Sequence, residues 1–265
     1  RARIRPDARV AVLFYRAPLA SRMNAAVVTV GDELLVGDTE NTNATWLCDR
    51  LDARGVDVRR VTVLPDEVAE IARVVNEYHA EYDAVIVTGG LGPTHDDVTM
   101  DAVAAAFGRD LAENEEAAAW LAERGYSGGD LAAETAHLPA DRRPLPNEAG
   151  VAPGAVVESV YVLPGVPNEM KAMFELVEDE FAGTLTHVLT VDVDEPESEL
   201  LDRFASLRER FDVRVGSYPG EVVSVKITAE SEAEAERAAA WVRENADAIE
   251  GTPLEGAGTE GDEAE

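Results

Sequence analysis

The sequence predicts an α/β fold, with a mainly parallel sheet covered by helices on both faces, followed by a small α+β domain. Two observations carry this prediction. Up to about Gly183, short β-branched runs alternate with segments of helical spacing, which is the order of a parallel sheet joined by right-handed crossovers. Beyond Gly183 the order changes to β-α-β-β-α, which is typical of a separate small unit.

The elements of the first unit are recognised by their hydrophobic periods. The run Ala84–Val87 is apolar throughout, as expected for a strand buried on both faces. Val68, Ile71 and Val75 share one face of a helix. Strands are predicted at Ala25–Val30, Val56–Leu64 and Asp83–Thr88. Helices are predicted at Glu40–Ala53, Asp66–His79, Val98–Phe107 and Asn114–Arg124.

The rest of this unit has a different pattern. The polar stretch Ser127–Gly150 contains three prolines, and we interpret it as a loop that could lie over a site. The alternation in Val151–Leu163 predicts a hairpin with Gly154 near its turn. A helix is predicted after Pro167, extending through Val177.

The predicted domain boundaries follow changes in composition. The first domain spans residues 23–183 and the small domain spans residues 184–250. Residues 1–22, which carry six Arg and one Asp, are expected to be a disordered extension, and the Gly- and acid-rich residues 251–265 a disordered tail. In the small domain, strands are predicted at Leu185–Val193, Val213–Ser217 and Val222–Ala229, and helices at Glu197–Arg210 and Ser231–Ala248.

The chain is strongly acidic, with 53 Asp and Glu against 23 Lys and Arg and a net charge of −30. Nucleic acids and anionic membranes require a basic face, so this charge argues against both as partners. Dense surface acids resemble the composition of proteins from extreme halophiles, in which salt screens the repulsion. No apolar run approaches the length of a membrane span. The single Cys48 permits no internal disulfide, so we expect a reducing, cytoplasmic location.

The most informative segment, Thr88–Thr94, follows a buried strand and reads TGGLGPT. Its glycines let backbone N–H groups approach a phosphate, and the helix start that follows favours negative charge. The segment has neither the lysine of a P-loop nor the G-x-G-x-x-G spacing of dinucleotide folds. We therefore predict a phosphate-binding turn formed by Thr88, Gly89, Gly90, Gly92, Pro93 and Thr94.

Acidic residues follow two of the predicted strands. Asp32 and Glu33 come after the first strand, and Asp96 and Asp97 follow the glycine turn. Because ligands bind outside the carboxyl ends of parallel strands, these acids and the turn are expected to share one crevice. Such carboxylates suit Mg²⁺ or a similar ion that also contacts phosphate oxygens. The alternative is that Asp32 and Glu33 are ordinary loop acids of a very acidic protein.

Four further residues are candidate ligand contacts, each with a structural alternative. Asn41 and Asn43 open the first helix, where they serve either as caps or as hydrogen-bonding partners of a ligand. Glu169 follows the turn at Gly165 and precedes a helix, where an acid also stabilises the first turn. Lys171 is one of only two lysines, and its compact charge suits phosphate contact.

At these residues the chain resembles the N-terminal part of CinA proteins, within the MoaB/Mog-like, molybdopterin-binding superfamily. The resemblance covers about Met23–Gly183, and the following domain is similar to the KH-like domain of CinA proteins. RNA-binding KH domains use a basic groove, which the acidity here does not offer. Three motifs carry the resemblance, in this order: Gly31–Leu35 with Asn41–Asn43, Thr88–Asp97 with Thr99, and Pro164–Met170.

The resemblance implies a metal-dependent nucleotide pyrophosphatase that cleaves ADP-ribose or a related dinucleotide such as FAD. The diphosphate would lie on the glycine turn, with Gly165, Glu169 and Lys171 among the outer contacts. The metal, Mg²⁺, Mn²⁺ or Co²⁺, would be held by Asp32, Asp96 and Asp97. The catalytic residues would be Asp97, Asp96 and Glu33. Two alternatives remain open: binding or adenylation of molybdopterin in molybdenum cofactor synthesis, and a non-catalytic nucleotide-binding module. The superfamily also favours homo-oligomers.

Because like charges crowd the surface, we predict that the folded protein requires molar salt. The free energy of unfolding, measured in urea, should rise steadily between about 0.1 M and about 3 M KCl as the charges are screened. Full stability in dilute buffer would contradict the halophilic interpretation.

Overall fold

The computed structural model describes residues 23–92, 94, 97–126 and 135–249. The predicted extension at residues 1–22 and the predicted tail at 251–265 lie outside the described residues.

The larger part of the chain forms a six-stranded sheet in the order β2-β1-β3-β8-β7-β6. Its strands are β1 (Asn24–Val30), β2 (Asp57–Leu64), β3 (Ala84–Thr88), β6 (Arg143–Leu145), β7 (Gly154–Val157) and β8 (Val160–Leu163). The pairs β1–β2, β1–β3 and β3–β8 are parallel, whereas β7–β8 and β6–β7 are antiparallel. The predicted fold class is therefore confirmed, and the carboxyl ends of β1, β3 and β8 meet at one edge of the sheet.

The central strands are buried on both faces, which explains their unbroken apolar sequence. Val28 and Val87 belong to one hydrophobic core, and Val27 and Ile86 belong to the core on the opposite face. Alternate side chains of a strand point to opposite faces, so each strand needs apolar residues at every position.

Helices cover the two faces of the sheet. On one face, α3 (Val68–Glu81), α4 (Thr99–Ala106) and α5 (Glu115–Glu123) contribute Val74, Val103 and Leu121 to the core. On the other face, α2 (Thr42–Ala53) and α6 (Pro167–Glu175) contribute Leu47 and Phe174. A single turn of helix, α1 (Asp32–Leu35), follows β1 directly. In the described part of the chain, none of the helices is long and apolar enough to cross a membrane.

The interpretation of Ser127–Gly150 as a loop is wrong for its second half, where two short strands form. Residues 127–134 lie outside the described part. β5 (His137–Pro139) pairs with β4 (Leu111–Glu113), and β6 pairs with β7 at the margin of the main sheet. The prolines misled the interpretation, because proline is tolerated in edge strands such as β6, which contains Pro144.

The hairpin predicted over Val151–Leu163 is present, but its turn lies at Glu158–Ser159 rather than near Gly154. Glu158 adopts a left-handed φ of 54°, and Gly154 begins β7. A side chain at position 154 would collide with the carbonyl oxygen of Val162 on β8 and with the sulfur of Met173 on α6. This glycine therefore serves a close packing contact and not a turn.

The remaining elements form a smaller antiparallel sheet with its own core, in the predicted β-α-β-β-α order. They are β9 (His187–Val193), α7 (Glu197–Arg210), β10 (Arg214–Pro219), β11 (Val223–Ala229) and α8 (Glu232–Asn245). The strand order is β10-β11-β9, and Leu200, Val225 and Val242 lie in the shared core. α8 ends earlier than predicted because Ala248 forms a bridge with Val193. The KH-like identity of this unit stays a prediction.

We predict that Phe174→Ala lowers the free energy of unfolding by about 3–5 kcal/mol. Phe174 is 0% exposed, stacks on Phe181 and meets Trp46 edge-to-face, so its removal leaves a cavity beneath the sheet. The matched control is Leu176→Ala just beyond the same helix, where the side chain is 49% exposed and the loss should be under about 1 kcal/mol. Urea unfolding at fixed salt measures both. Equal losses for the two variants would contradict this description of the core.

Candidate functional site

A cleft of about 810 Å³ opens at the carboxyl ends of the parallel strands. Its floor is the glycine turn that follows β3, and its walls come from the segments that follow β1, β2 and β8. This is where open parallel sheets hold their ligands. Among the described lining residues, every charged one is acidic: Asp32, Glu33, Asp66, Asp97 and Glu169.

The glycine turn is held in place on two sides. Gly89 and Gly90 have φ values of 106° and 64°, which favour glycine. A β-carbon on Gly89 would collide with the carbonyl oxygen of Val30 at the end of β1. Thr99, at the start of α4, donates its hydroxyl to the Gly89 carbonyl at 2.8 Å and its N–H to the Gly90 carbonyl at 3.1 Å. Gly89, Gly90 and Gly92 line the cleft, so the predicted turn lies where a ligand can reach its backbone.

Three of the predicted ligand contacts make bonds within the fold. Thr88 is buried, and its hydroxyl donates to the carbonyl of Pro164 at 2.5 Å. Asn43 donates to the carbonyl of Gly165 at 2.7 Å and to the Thr88 hydroxyl at 3.3 Å. Asn41 caps α2, where its side chain accepts from the N–H of Ala44 at 3.2 Å. Asn41, Asn43 and Thr88 border a small pocket of about 90 Å³ that adjoins the cleft and shares Glu33 and Gly165 with it.

The acids that follow the first strand and the glycine turn are brought together, as the sequence predicted. Asp32 and Glu33 open α1 and both line the cleft. Asp97 also lines it, and one of its carboxylate oxygens accepts from the N–H of Thr94 at 2.9 Å and from the Thr94 hydroxyl at 2.6 Å. Thr94 therefore positions Asp97 and does not line the main cleft. The predicted residues Pro93 and Asp96 lie outside the described residues.

Asp66 is a site residue that the sequence reasoning missed. It follows β2, lines the cleft, and accepts the N–H of Asp32 at 3.0 Å. Burial raises the pKa of its carboxyl, and the neighbouring charges of Asp32, Glu33 and Asp97 raise it further. The signal was present, because Asp66 comes two residues after the predicted strand end at Leu64.

The donor set suits a divalent ion that is shared with a ligand. Among the described residues, no three His, Cys, Asp or Glu side chains form a ready group for a metal ion. Mg²⁺, however, is commonly held by one or two carboxylates together with substrate phosphates and water. Burial raises the pKa of Asp66 most, and the charges of Asp32, Glu33 and Asp97 act in the same direction, which a cation among these carboxylates would offset.

The other wall of the cleft is formed by the segment after β8. Gly165 lies so close to the glycine turn that its β-carbon would stand 3.2 Å from the Cα of Gly89. Glu169, in the first turn of α6, lines the same wall. The ammonium of Lys171 lies 5.7 Å from the ring centre of Trp46 on α2, and Lys171 is not among the described residues that line the cleft.

Comparisons with known proteins agree with this architecture. A family model described as "Probable molybdopterin binding domain" matches residues 26–182. A protein of Archaeoglobus fulgidus is 37% identical over 198 residues, which are 74% of this chain and 86% of that protein. One of Thermococcus kodakarensis is 38% identical over 245 residues, covering 81% and 94% of the two chains. The crystal structure of the protein CinA, of unknown function, from Thermoplasma acidophilum matches with a TM-score of 0.57 at 38% identity, over 60% of this chain and 99% of that one.

We predict that Asp66→Asn stabilises the metal-free protein at neutral pH, by at most about 1 kcal/mol because the site is largely solvated. A carboxyl whose pKa is raised on folding binds its proton more tightly in the folded state. Stability is therefore lost as the pH rises through that pKa, and asparagine removes this loss.

The gain should shrink in high salt and vanish at acidic pH, where Asp66 is protonated. Thermal unfolding from about pH 3 to about pH 8 measures it, with Asp49→Asn on the exposed face of α2 as the control. An Asp66→Asn variant that is less stable than the parent at every pH would contradict the repulsive cluster.

Proposed function

Since the chain belongs to the family of probable molybdopterin binding domains, we propose that it binds a diphosphate-bearing small molecule in the cleft and hydrolyses the diphosphate bond with a divalent metal. The substrate class is ADP-ribose or a related dinucleotide such as FAD. The observation that carries this proposal is the position of the glycine turn among Asp32, Asp66 and Asp97 in one cleft.

The charge of the cleft supports a metal-dependent reaction. All its charged lining residues in the described part of the chain are acidic, so a bare diphosphate would be repelled. A divalent ion, when bound, neutralises the diphosphate and polarises its phosphorus–oxygen bonds. Asp32, Asp66 and Asp97 are the described residues that would hold it, and Asp96 remains a further candidate.

The chain's own groups have separate tasks in this proposal. Backbone N–H groups of Gly90 and Gly92 bind the phosphate oxygens, whereas the N–H of Gly89 donates to the carbonyl of Leu163 at 3.2 Å and joins the turn to β8. A water oxygen adds to one phosphorus, and the bridging phosphorus–oxygen bond breaks, so that ADP-ribose gives AMP and ribose 5-phosphate. Glu33 accepts the proton that the water loses, because its carboxylate lines the cleft and is not among those that would hold the metal.

The test is hydrolysis of ADP-ribose, FAD and NAD by the purified protein in high salt, with Mg²⁺, Mn²⁺ or Co²⁺ and with EDTA. We expect release of AMP that EDTA abolishes. Asp97→Asn should lower kcat by about a hundredfold or more while the fold is retained, whereas Asp110→Asn on the exposed surface should leave kcat unchanged. An unchanged rate in Asp97→Asn would overturn the metal-site assignment, and no turnover with any metal would overturn the hydrolase proposal.

Binding of molybdopterin is the second candidate, and the family match over residues 26–182 favours it. The same cleft would hold the pterin, with its phosphate on the glycine turn. Tight binding of molybdopterin without any release of AMP from ADP-ribose would make this the function. Turnover of ADP-ribose without binding of molybdopterin would exclude it.

A further inference from the structure

Asn147 is buried, does not line the cleft, and contacts the cleft residue Glu169. It lies between β6 and β7 and is 1% exposed. Its side-chain NH₂ donates to Oε2 of Glu169 at 2.6 Å and to the carbonyl of Ala152 at 3.0 Å. Both hydrogens of the amide are therefore used, one on the cleft carboxylate and one on the loop that borders the cleft.

A second contact restrains the same carboxylate. A β-carbon on Gly150 would collide with the carboxylate of Glu169. The segment that contains Asn147 and Gly150 thus contacts Glu169 both through a hydrogen bond and through the backbone of Gly150. These two contacts restrain the Glu169 carboxylate, which lines the cleft.

The side chain that holds Glu169 is a neutral amide, whereas several other glutamates of the described structure are paired with a cation. Glu158, Glu180 and Glu195 are each paired with an arginine. An amide fixes a carboxylate without compensating its charge, whereas an arginine does both. The oxygen of the Asn147 amide is buried without a partner, which costs stability. Asn147 therefore holds Glu169 at some cost and leaves its full negative charge to the cleft.

Glu169 lies at a different strand end from the acids that would hold a metal. It follows β8, whereas Asp32 follows β1, Asp66 follows β2 and Asp97 follows the glycine turn after β3, the strand beside β8. In the sheet order β2-β1-β3-β8, β8 is about 10 Å from β1 and about 14 Å from β2, at about 4.8 Å per strand. A ligand with its diphosphate on the glycine turn would meet Glu169 with a different part of the molecule.

We infer that Asn147 is a positioning residue that presents Glu169 to an uncharged part of the ligand carrying two neighbouring hydrogen-bond donors. A carboxylate repels phosphate but accepts two such hydrogen bonds at once. The vicinal hydroxyls of a ribose and the N–H edge of a pterin both have this chemistry. The inference rests on the proposed function only in taking the cleft as the ligand site, and it does not require hydrolysis.

The test is a double-mutant cycle in binding, with Asn147→Ala, Glu169→Gln and both together. The probes are molybdopterin and α,β-methylene ADP-ribose with Mg²⁺, which cannot be hydrolysed at its bridging carbon. Each single variant should weaken one of the two probes about tenfold, and the double variant should bind within about twofold of Glu169→Gln. The affected probe identifies which donor group Glu169 contacts. The control is Asn76→Ala, which removes a hydrogen bond from a side-chain amide to the Ala106 carbonyl between α3 and α4. This variant should bind both probes as the parent does.

A second pair of variants, in which the amide and the carboxylate exchange positions 147 and 169, separates an effect on binding from an effect on folding. Asn147→Asp keeps the volume of the side chain but sets two carboxylates against each other. Adding Glu169→Gln restores a hydrogen bond between the two positions with the donor on the other side. We expect the Asn147→Asp/Glu169→Gln protein to regain part of the melting temperature that Asn147→Asp loses, because one hydrogen bond returns while the bond to the Ala152 carbonyl does not. Its affinity should stay low, because position 169 no longer presents a charge to the cleft.

The outcomes separate this inference from the hydrolase proposal. If the losses of affinity in the two single variants multiply in the double variant, the positioning role of Asn147 is overturned, even if ADP-ribose is hydrolysed. Coupled losses without any hydrolysis would retain this inference and overturn only the hydrolase. A parent protein that binds neither probe would overturn both.

Discussion

The sheet and the cleft both depend on one close backbone approach, that of Gly89 to the end of β1. A left-handed φ of 106° and the lack of a side chain let the chain leave β3 directly against the carbonyl of Val30. Gly165 approaches the same point from the end of β8. A side chain at position 89 would separate the strand ends that carry Asp32 and Glu169. The distance between the segments that follow β1 and β8 therefore depends on the absence of a side chain at Gly89.

Charge is distributed differently on the surface and in the cleft. On the surface, arginines pair with acids, as Arg54 does with Asp179 and Arg143 with Glu180. In the described part of the cleft no basic residue is present, and burial together with the charges of Asp32, Glu33 and Asp97 raises the pKa of Asp66. A fold gains nothing from carboxylates that repel one another, and their assembly at one strand edge is what the proposed metal-dependent function requires. The ion pairs on the surface are exposed, and exposed pairs contribute little to the free energy of unfolding.

The parts of the fold that were predicted well are those where local sequence and packing agree. The α7 helix has the predicted bounds, Glu197–Arg210, because its apolar spacing and its ends coincide. β1 and β3 were recognised because burial on both faces demands apolar residues at every position. β6 was missed because a strand of three residues that contains Pro144 resembles a loop. The hairpin turn was misplaced because Gly154 is required by packing against α6, which local sequence does not reveal.

The sequence by itself determined the class of fold, the glycine turn and the first acids of the cleft, because hydrophobic period, glycine and strand ends are local properties. Only the tertiary structure decided which side chains face the ligand. It placed Asp66 beside Asp32, and it brought Asn147 to Glu169 across 22 positions of sequence. It also placed the Asn43 amide within hydrogen-bond distance of the Thr88 hydroxyl and the Lys171 ammonium over the ring of Trp46. These contacts depend on the order of strands in the sheet, and no local pattern in a single sequence encodes that order.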